Sequence, residues 1–206
     1  AEHAIAMMFS LARQIPVANA STQAGKWEKS RFMGVEVYGK TLGLIGCGNI
    51  GSIVANRALG LKMKVVSYDP YLSPARAADL GVEKVELDEL FSRANFITLH
   101  TPLTEATRSI INKDAIAAMR DDVRIINCAR GGLVVEEDLK AGIESGKVAG
   151  AAIDVFTEEP AKENTLFGVE GVIATPHLGA STNEAQENVA IQIAEQMADY
   201  LRFGAV

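Results

Sequence analysis

Hydrophobic residues at the start of the chain recur with the spacing of an α-helix. One face of that helix would carry Ala1, Ala4, Ile5, Met8, Leu11, Ala12 and Ile15. Because positions three and four apart lie on the same side of a helix, the pattern predicts one amphipathic helix over residues 1–23. A polar, basic connection that contains Trp27 extends from Gly25 to Lys40.

After this connection, short apolar runs alternate with segments of helical periodicity. The predicted strands are Leu42–Ile45, Lys64–Tyr68, Phe96–Leu99, Val123–Asn127, Ala149–Asp154 and Val172–Ala174. The predicted helices are Asn49–Leu61, Pro74–Leu80, Leu87–Ser92, Lys113–Met119, Glu136–Ser145 and Thr182–Arg202. This alternation predicts an α/β fold, in which a doubly wound parallel sheet carries helices on both faces. Ligands of such sheets bind beyond the carboxyl ends of the strands.

A glycine motif follows the first of these strands and opens the next helix. Residues Gly46–Gly51 read Gly-Cys-Gly-Asn-Ile-Gly, and Asp69 closes the following strand. Glycines at these positions let backbone N–H groups approach a pyrophosphate at a helix N-terminus, so the segment predicts a Rossmann-type dinucleotide site. Asp69 would accept hydrogen bonds from the ribose hydroxyls and repel a 2′-phosphate, which favours NAD over NADP.

Composition narrows the possible partners. The chain has 206 residues and a net charge of −6, with no dense run of Lys or Arg. Binding to nucleic acid or to an anionic membrane is therefore not supported. No signal peptide or membrane span is predicted, and two isolated cysteines fit a reducing, cytoplasmic location. The chain lacks an initiator Met and starts within a helical pattern, so we expect a piece of a longer protein.

Three strand ends carry residues suited to acid–base chemistry on a carboxylate substrate. Arg130 enters a glycine turn, where its planar guanidinium would bind a carboxylate; the alternative is an arginine paired with a neighbouring acid. Asp154 and Glu159 flank the end of another strand, and a solvated acidic loop is the alternative there. His177 follows the last strand, and a nearby carboxylate would favour its protonated form. A histidine bonded only to backbone is the alternative for His177.

The remaining histidines and the two cysteines give weaker evidence of a functional role. We expect His3 to be solvated on the polar side of the first helix, and His100 to lie near the cofactor without an acid beside it. No pair of histidines has the spacing of metal ligands, so no metal site is predicted. Cys47 and Cys128 are expected to be small buried residues without a redox role.

Taken in order, these segments resemble the NAD-binding domain of the D-isomer-specific 2-hydroxyacid dehydrogenases over essentially the whole chain. Within that family, Leu11–Pro16, Gly25–Glu28 and His177–Thr182 are similar to the branch that oxidises 3-phosphoglycerate. The resemblance implies that Arg130 binds the substrate carboxylate and carbonyl, that His177 is the general acid/base, and that Glu159 pairs with His177. It implies NAD contacts at Gly46, Gly48, Asn49, Ile50, Gly51, Asp69, Thr101, Cys128, Ala129, Arg130, Asp154, His177, Leu178, Gly179 and Ala180.

The resemblance also implies what surrounds this domain. Residues 1–206 would form the NAD-binding domain, with 1–23 and 182–206 as crossover helices toward a substrate-binding domain that is absent here. Met8, Leu11, Val189, Ile193 and Met197 should then be partly uncovered or shared with a partner chain, and a homodimer is expected. Two alternatives keep the same residues: a dehydrogenase acting on glyoxylate, hydroxypyruvate or another 2-keto acid, and a dinucleotide-sensing corepressor.

Overall fold

The computed structural model describes residues 1–204, so Ala205 and Val206, the end of the predicted crossover segment, lie outside the described residues. Its centre is a parallel seven-stranded sheet with the order β3-β2-β1-β4-β5-β6-β7. The strands are β1 Thr41–Ile45, β2 Lys64–Tyr68, β3 Glu83–Lys84, β4 Phe96–Leu99, β5 Val123–Asn127, β6 Val148–Ile153 and β7 Val172–Ala174. The doubly wound Rossmann-type prediction is confirmed, and the six predicted strands form with shifts of at most one residue.

Eight helices cover the sheet or extend from it within residues 1–204. They are α1 Glu2–Arg13, α2 Ile15–Gln23, α3 Asn49–Gly60, α4 Pro74–Leu80, α5 Leu87–Arg93, α6 Lys113–Ala118, α7 Glu136–Glu144 and α8 Asn183–Phe203. None of these helices has both the length and the apolar character needed to cross a bilayer. Consecutive strand residues point to opposite faces, so Ile125 packs with one hydrophobic cluster and Ile126 with the other.

The prediction of one helix over residues 1–23 is wrong, because the chain turns at Gln14. This residue has a φ of 54°, in the left-handed region, and separates α1 from α2. Pro16 has no N–H to donate to Ala12, and its ring would crowd that carbonyl in a continuous helix. The Ala12 carbonyl instead accepts a hydrogen bond of 2.9 Å from the N–H of Val35.

The two terminal helices differ sharply in burial. Met8 and Leu11 of α1 are only 2% and 7% exposed within the single chain, so the expectation that they would be partly uncovered or shared with a partner chain is wrong. They pack in the cluster that covers one face of the sheet. Along α8, by contrast, no residue is buried, and Val189, Ile193 and Met197 are exposed as expected.

The strand register places every predicted site segment at one edge of the sheet. Tyr68 pairs with Ile45, Ile45 with Leu99, and Leu99 with Asn127. Asn127 then pairs with Ile153, which pairs with Ala174. One row of residues thus ends six strands, and the segments that follow them emerge side by side.

Candidate active site at the carboxyl edge of the sheet

The glycine loop leaves open space at the N-terminus of α3. Gly46 has a φ of 94°, and a Cβ there would lie 2.5 Å from the carbonyl oxygen of His100, so only glycine fits. At Gly48, the N-cap of α3, a Cβ would meet no atom within 4 Å. Helix geometry leaves the first N–H groups of α3 without carbonyl partners. The loop is therefore shaped to receive an anion such as a pyrophosphate.

Asp69 is held beside this loop by two backbone donors. Its Oδ2 accepts a hydrogen bond of 2.8 Å from the N–H of Cys47, and its Oδ1 accepts one of 2.8 Å from the N–H of Tyr71. A carboxylate has about four acceptor positions, so two remain for other donors. Because the side chain is half-buried and fixed at the end of β2, it can present these positions to ribose hydroxyls.

His177 and Glu159 form a direct pair at the end of the sheet. The Nδ1 of His177 lies 2.7 Å from Oε2 of Glu159, and Oε1 of Glu159 accepts a hydrogen bond of 2.9 Å from the N–H of Phe156. The hydrogen bond from His177, followed by that from Phe156, holds the pKa of Glu159 below its usual range. Nδ1 is thereby occupied, and the Nε2 of this exposed imidazole is left to exchange a proton with a substrate.

The backbone of His177 supports this arrangement. Its φ of 55° lies in the left-handed region, which non-glycine residues seldom occupy outside turns and functional sites. Its N–H donates a hydrogen bond of 3.0 Å to the carbonyl of Thr175, across Pro176. Thr182 then caps α8, since its side chain accepts a hydrogen bond of 3.0 Å from the N–H of Ala185.

Arg130 carries an available positive charge at the same edge. Asn127 shapes its turn by accepting a hydrogen bond of 3.1 Å from Ala129 N–H and donating one of 3.0 Å to the Arg130 carbonyl. Among the described residues, the guanidinium donates only to the Ala129 carbonyl, at 2.6 Å. Within residues 1–204, no carboxylate lies at ion-pair distance from it. The alternative of an arginine paired with an acid is thus not observed.

Gly131 brings the arginine turn against the loop that carries Glu159. A Cβ at Gly131 would lie 1.7 Å from the carbonyl oxygen of Phe156, so the two backbones touch where the side chain is missing. Phe156 also donates its N–H to Glu159. Arg130, Glu159 and His177 are therefore connected through adjacent loops on one side of the molecule.

Asp154 lies beneath the His177 loop and has no exposed surface. Its Oδ1 accepts hydrogen bonds of 2.6 Å from the Thr175 hydroxyl and 2.7 Å from Leu178 N–H, and its Oδ2 accepts one of 3.0 Å from Gly179 N–H. The carboxylate thus fixes the residues on both sides of His177. The sequence pointed to Asp154 but not to Thr175 as its partner.

The expectation that His3 is solvated is wrong. Its Nε2 lies 3.2 Å from Oδ1 of Asp154 and 3.2 Å from the Thr175 hydroxyl oxygen. His3, Cys128 and Asp154 each place one atom that could ligate a metal within 4.8 Å of the others. The spacing of these residues in the sequence did not suggest this cluster. A metal ion there would compete with the hydrogen bonds that already occupy Asp154, so we interpret the group as a hydrogen-bonded network.

Burial disfavours the charged form of three further side chains at this edge. Burial lowers the pKa of His100 to about 4, and its Nε2 lies 3.0 Å from the Thr98 hydroxyl oxygen. Burial, with Asp154 nearby, raises the pKa of the Cys128 thiol to about 12. Burial also raises the pKa of Cys47. Neither thiol is therefore disposed to ionise.

The remaining predicted cofactor positions lie along the same edge with differing exposure. Thr101 and Ala129 are half-buried beyond β4 and β5, whereas Asn49, Ile50 and Ala180 are exposed. Gly51 is buried in the first turn of α3. The structure thus groups all the predicted positions, and their individual contacts with a cofactor stay predictions.

Comparison with known proteins agrees with this geometry. Residues 5–179 match the family model of the D-isomer specific 2-hydroxyacid dehydrogenase, NAD binding domain. The D-3-phosphoglycerate dehydrogenase of Synechocystis sp. is 53% identical over 98% of this chain and 36% of its own length. The chloroplastic D-3-phosphoglycerate dehydrogenase 2 of Arabidopsis thaliana is 50% identical over 98% of this chain and 32% of its own length. The chain thus spans about a third of these curated relatives.

A solved structure shows the same architecture. The glyoxylate reductase from Paecilomyes thermophila superimposes with a TM-score of 0.92 and 33% sequence identity. The match covers 98% of this chain and 62% of that one.

Proposed function

Because the chain belongs to the NAD-binding domain family of the D-isomer-specific 2-hydroxyacid dehydrogenases, we propose that it is the cofactor-binding and catalytic part of a D-3-phosphoglycerate dehydrogenase. The reaction is the oxidation of D-3-phosphoglycerate to 3-phosphohydroxypyruvate, the first step of L-serine biosynthesis. The observation that carries the proposal is the 2.7 Å contact between His177 and Glu159 at the edge where Arg130 has no acidic partner within the described chain. The chain is 53% and 50% identical to two enzymes of that name, which supports D-3-phosphoglycerate as the substrate.

NAD would lie across the carboxyl edge of the sheet. Residues Gly46–Gly51 receive the pyrophosphate at the N-terminus of α3, and Asp69 accepts hydrogen bonds from the adenosine ribose. Toward the other half of the cofactor lie Thr101, Cys128–Arg130 and His177–Ala180. Asp154 has no exposed surface, so in this conformation it acts on the nicotinamide pocket through Leu178 and Gly179. Open space at Gly48 and the free acceptor positions of Asp69 fit this placement.

The protein supplies orientation and proton transfer. Arg130 binds the substrate carboxylate through its planar fork and so fixes the C2 hydroxyl in front of His177. His177 takes up the hydroxyl proton at Nε2. Glu159, which is hydrogen-bonded to Nδ1, stabilises the resulting imidazolium. NAD, when bound, would supply the acceptor for the hydride from C2, while His177 holds the proton taken from the hydroxyl.

The domain proposal assigns residues 1–23 and 182–206 as links to a separate substrate-binding domain. It is supported by α8, an amphipathic helix of 21 residues that has no buried side chain. A helix with its apolar residues in solvent gains little stability from its own sequence. Contacts to the substrate phosphate would come mainly from the other domain, and we expect this 206-residue chain alone to turn over 3-phosphoglycerate poorly.

A homodimer in the cytoplasm completes the proposal. Trp27 is 87% exposed, and Met33 and Tyr38 are also exposed on the same connection. Exposed aromatic and methionine side chains grouped on one segment are typical of protein interfaces. Measurement of the molecular mass in solution by light scattering should give twice the mass of the chain, and a monomer at all concentrations would overturn the dimer.

Cofactor binding tests the core of the proposal on the chain itself. Isothermal titration with NADH should give saturable binding to wild type, and Gly48→Ala should weaken it with little change in the unfolding midpoint, because the added Cβ meets no atom within 4 Å and lies where the pyrophosphate would bind. Gly60→Ala, at the other end of α3 and also open, is the matched control. Absence of NADH binding to the wild-type chain would refute the proposed function.

Substrate choice requires the full-length protein. Turnover with 3-phosphoglycerate, glyoxylate and pyruvate separates the phosphoglycerate enzyme from other 2-hydroxyacid dehydrogenases, and a protein that binds NADH but turns over none of them would be a dinucleotide sensor. Replacement of His177 by Ala should lower turnover by about 10²–10⁴, the usual contribution of a general acid/base. Near-normal turnover of that variant would remove His177 from the mechanism.

A further inference from the structure

Among residues 1–204, His3 is the side chain of α1 that hydrogen-bonds to the polar network under the His177 loop. Its Nε2 lies 3.2 Å from two oxygens, Oδ1 of Asp154 and Oγ1 of Thr175. The Thr175 hydroxyl donates its proton to the same Oδ1, at 2.6 Å. Both oxygens near His3 therefore act as acceptors toward it, and Nε2 must carry a hydrogen that it shares between them.

The carboxylate that receives this hydrogen bond fixes the loop that carries the catalytic imidazole. Asp154 is fully buried and accepts from the N–H groups of Leu178 and Gly179, the two residues that follow His177. A buried carboxylate that loses one donor regains no water, so its rotamer and its remaining hydrogen bonds become less fixed. His3 can thus influence the loop without touching cofactor or substrate.

The position of His3 makes this influence specific. It lies in the first turn of α1, which packs against α3, β5, β6 and β7 through apolar side chains, whereas the His3 imidazole itself contacts Asp154 and Thr175, which follow β6 and β7. The glycine loop and Asp69 lie at the ends of β1 and β2, on the other half of the sheet. A change at His3 should therefore act on the end of the site near His177 and leave the adenosine end intact.

We infer that His3 is a positioning residue for the nicotinamide half of the cofactor pocket, acting through Asp154 on Leu178 and Gly179. The inference rests on the proposed function for the identity of the ligand, but the contacts that carry it do not depend on the substrate. A displacement of α1 would then also disturb the loop of His177, because the hydrogen bond from His3 to Asp154 connects the helix to that loop.

The test compares His3→Leu, which removes the donor, with His3→Gln, whose amide nitrogen extends to nearly the same point as Nε2. Glu2→Gln, at the exposed neighbouring position of α1, is the matched control. Each chain is titrated with NADH and with ADP-ribose, which keeps the adenosine half and lacks the nicotinamide. In parallel, amide hydrogen exchange at Leu178 and Gly179 is followed by NMR without ligand.

His3→Leu should weaken NADH binding about tenfold, change ADP-ribose binding less than twofold, and speed exchange at both amides by about tenfold. His3→Gln should restore all three toward wild type. An unchanged ratio of NADH to ADP-ribose affinity in His3→Leu, or a His3→Gln chain that behaves like His3→Leu, would overturn the inference. If His3→Leu does not fold, His3→Asn, whose amide is too short to reach Asp154, replaces it.

The two proposals fail in different ways. A wild-type chain that binds neither NADH nor ADP-ribose would refute the proposed function, and amide exchange would still decide whether His3 orders the loop. A wild-type chain that binds both, with exchange at Leu178 and Gly179 insensitive to His3→Leu, would refute only the inference about His3.

Discussion

The close approach at Gly131 leads to a quantitative prediction. In Gly131→Ala the new Cβ would lie 1.7 Å from the carbonyl oxygen and 2.2 Å from the carbonyl carbon of Phe156. Both are backbone atoms, so no side chain can rotate away, and the two loops must separate by more than 1 Å to reach even a tight contact. Overpacking of this kind costs about 1–3 kcal/mol. We expect about 3 kcal/mol, at the upper end, because both partners are backbone.

The measurement is the free energy of unfolding in urea, with thermal unfolding as a second probe. A loss of about 3 kcal/mol in a domain of this size lowers the melting temperature by about 6–12 °C. Gly60→Ala is the control, because the same substitution at the end of α3 meets nothing within 4 Å. In a helix, Ala is favoured over Gly by about 1 kcal/mol, so the control should be neutral or stabilised.

Comparison of the two variants tests whether the backbones of Gly131 and Phe156 are in contact. Equal unfolding midpoints for Gly131→Ala and Gly60→Ala would show that the loops of Arg130 and Phe156 do not touch as described. Because Gly131 directly follows Arg130, one of the proposed NAD contacts, a true separation should in addition reduce NADH affinity, whereas Gly60→Ala should leave it unchanged.

Three further changes give predictions of their own. Asp69→Ala removes charge-assisted hydrogen bonds to the ribose and should weaken NADH about 10–100-fold while weakening NADPH much less; fluorescence titration that finds equal losses for both would contradict the assignment. Glu159 has a pKa held below its ordinary 4.5, so its contribution to stability is present above that value and is lost as the pH falls through the lower folded pKa. The difference in unfolding free energy between wild type and Glu159→Gln should therefore shrink on acidification below 4.5, and a difference independent of pH would count against the His177 contact. Burial lowers the pKa of His100 from 6.5 to about 4, so the unfolded chain binds its proton first and stability should fall as the pH drops between these values. His100→Gln should flatten that part of the pH profile in urea titrations, and an unaltered slope would show that His100 is not buried as described.

The elements that could be predicted are those with local signals at both ends. Helix α4 has the predicted bounds Pro74–Leu80 because the Ser73 hydroxyl accepts from Arg76 N–H at 3.2 Å and Gly81 takes the left-handed φ of 70° that ends a helix. The long strands were found because apolar runs of four to six residues stand between polar ones. Their common end followed from parallel topology, and the site segments could be placed at one edge.

Features that depend on distant contacts could not be predicted. Strand β3 has only two exposed residues, Glu83 and Lys84, which carry no alternation and pair with β2. The His3 partner Asp154 comes 151 positions later in the chain, and helical periodicity assigned His3 to the solvent side. The break at Gln14 left the hydrophobic spacing almost unchanged, so periodicity extended through it.

Part of the candidate site could be predicted from the sequence. The positions of Asp69 and Arg130 could be argued from strand ends alone, but the residues left the role of Arg130 undecided. The assignment of Glu159 as the partner of His177 came from the resemblance to the family. The structure agrees, since Oε2 of Glu159 contacts His177 and Glu158 is exposed without an ion pair among residues 1–204.

The place of α1 in the hydrophobic interior limits how this domain can be shortened. Met7, Met8 and Leu11 are nearly inaccessible to solvent and share a cluster with strand residues such as Phe96 and Ile126. A truncated version that started at β1, where the nucleotide-binding pattern begins, would expose the hydrophobic surface of β5, β6 and β7 that α1 covers. Such a protein should aggregate during expression. Ligand-screening reagents should therefore retain the two leading helices, even though the glycine motif and Asp69 lie entirely downstream of them.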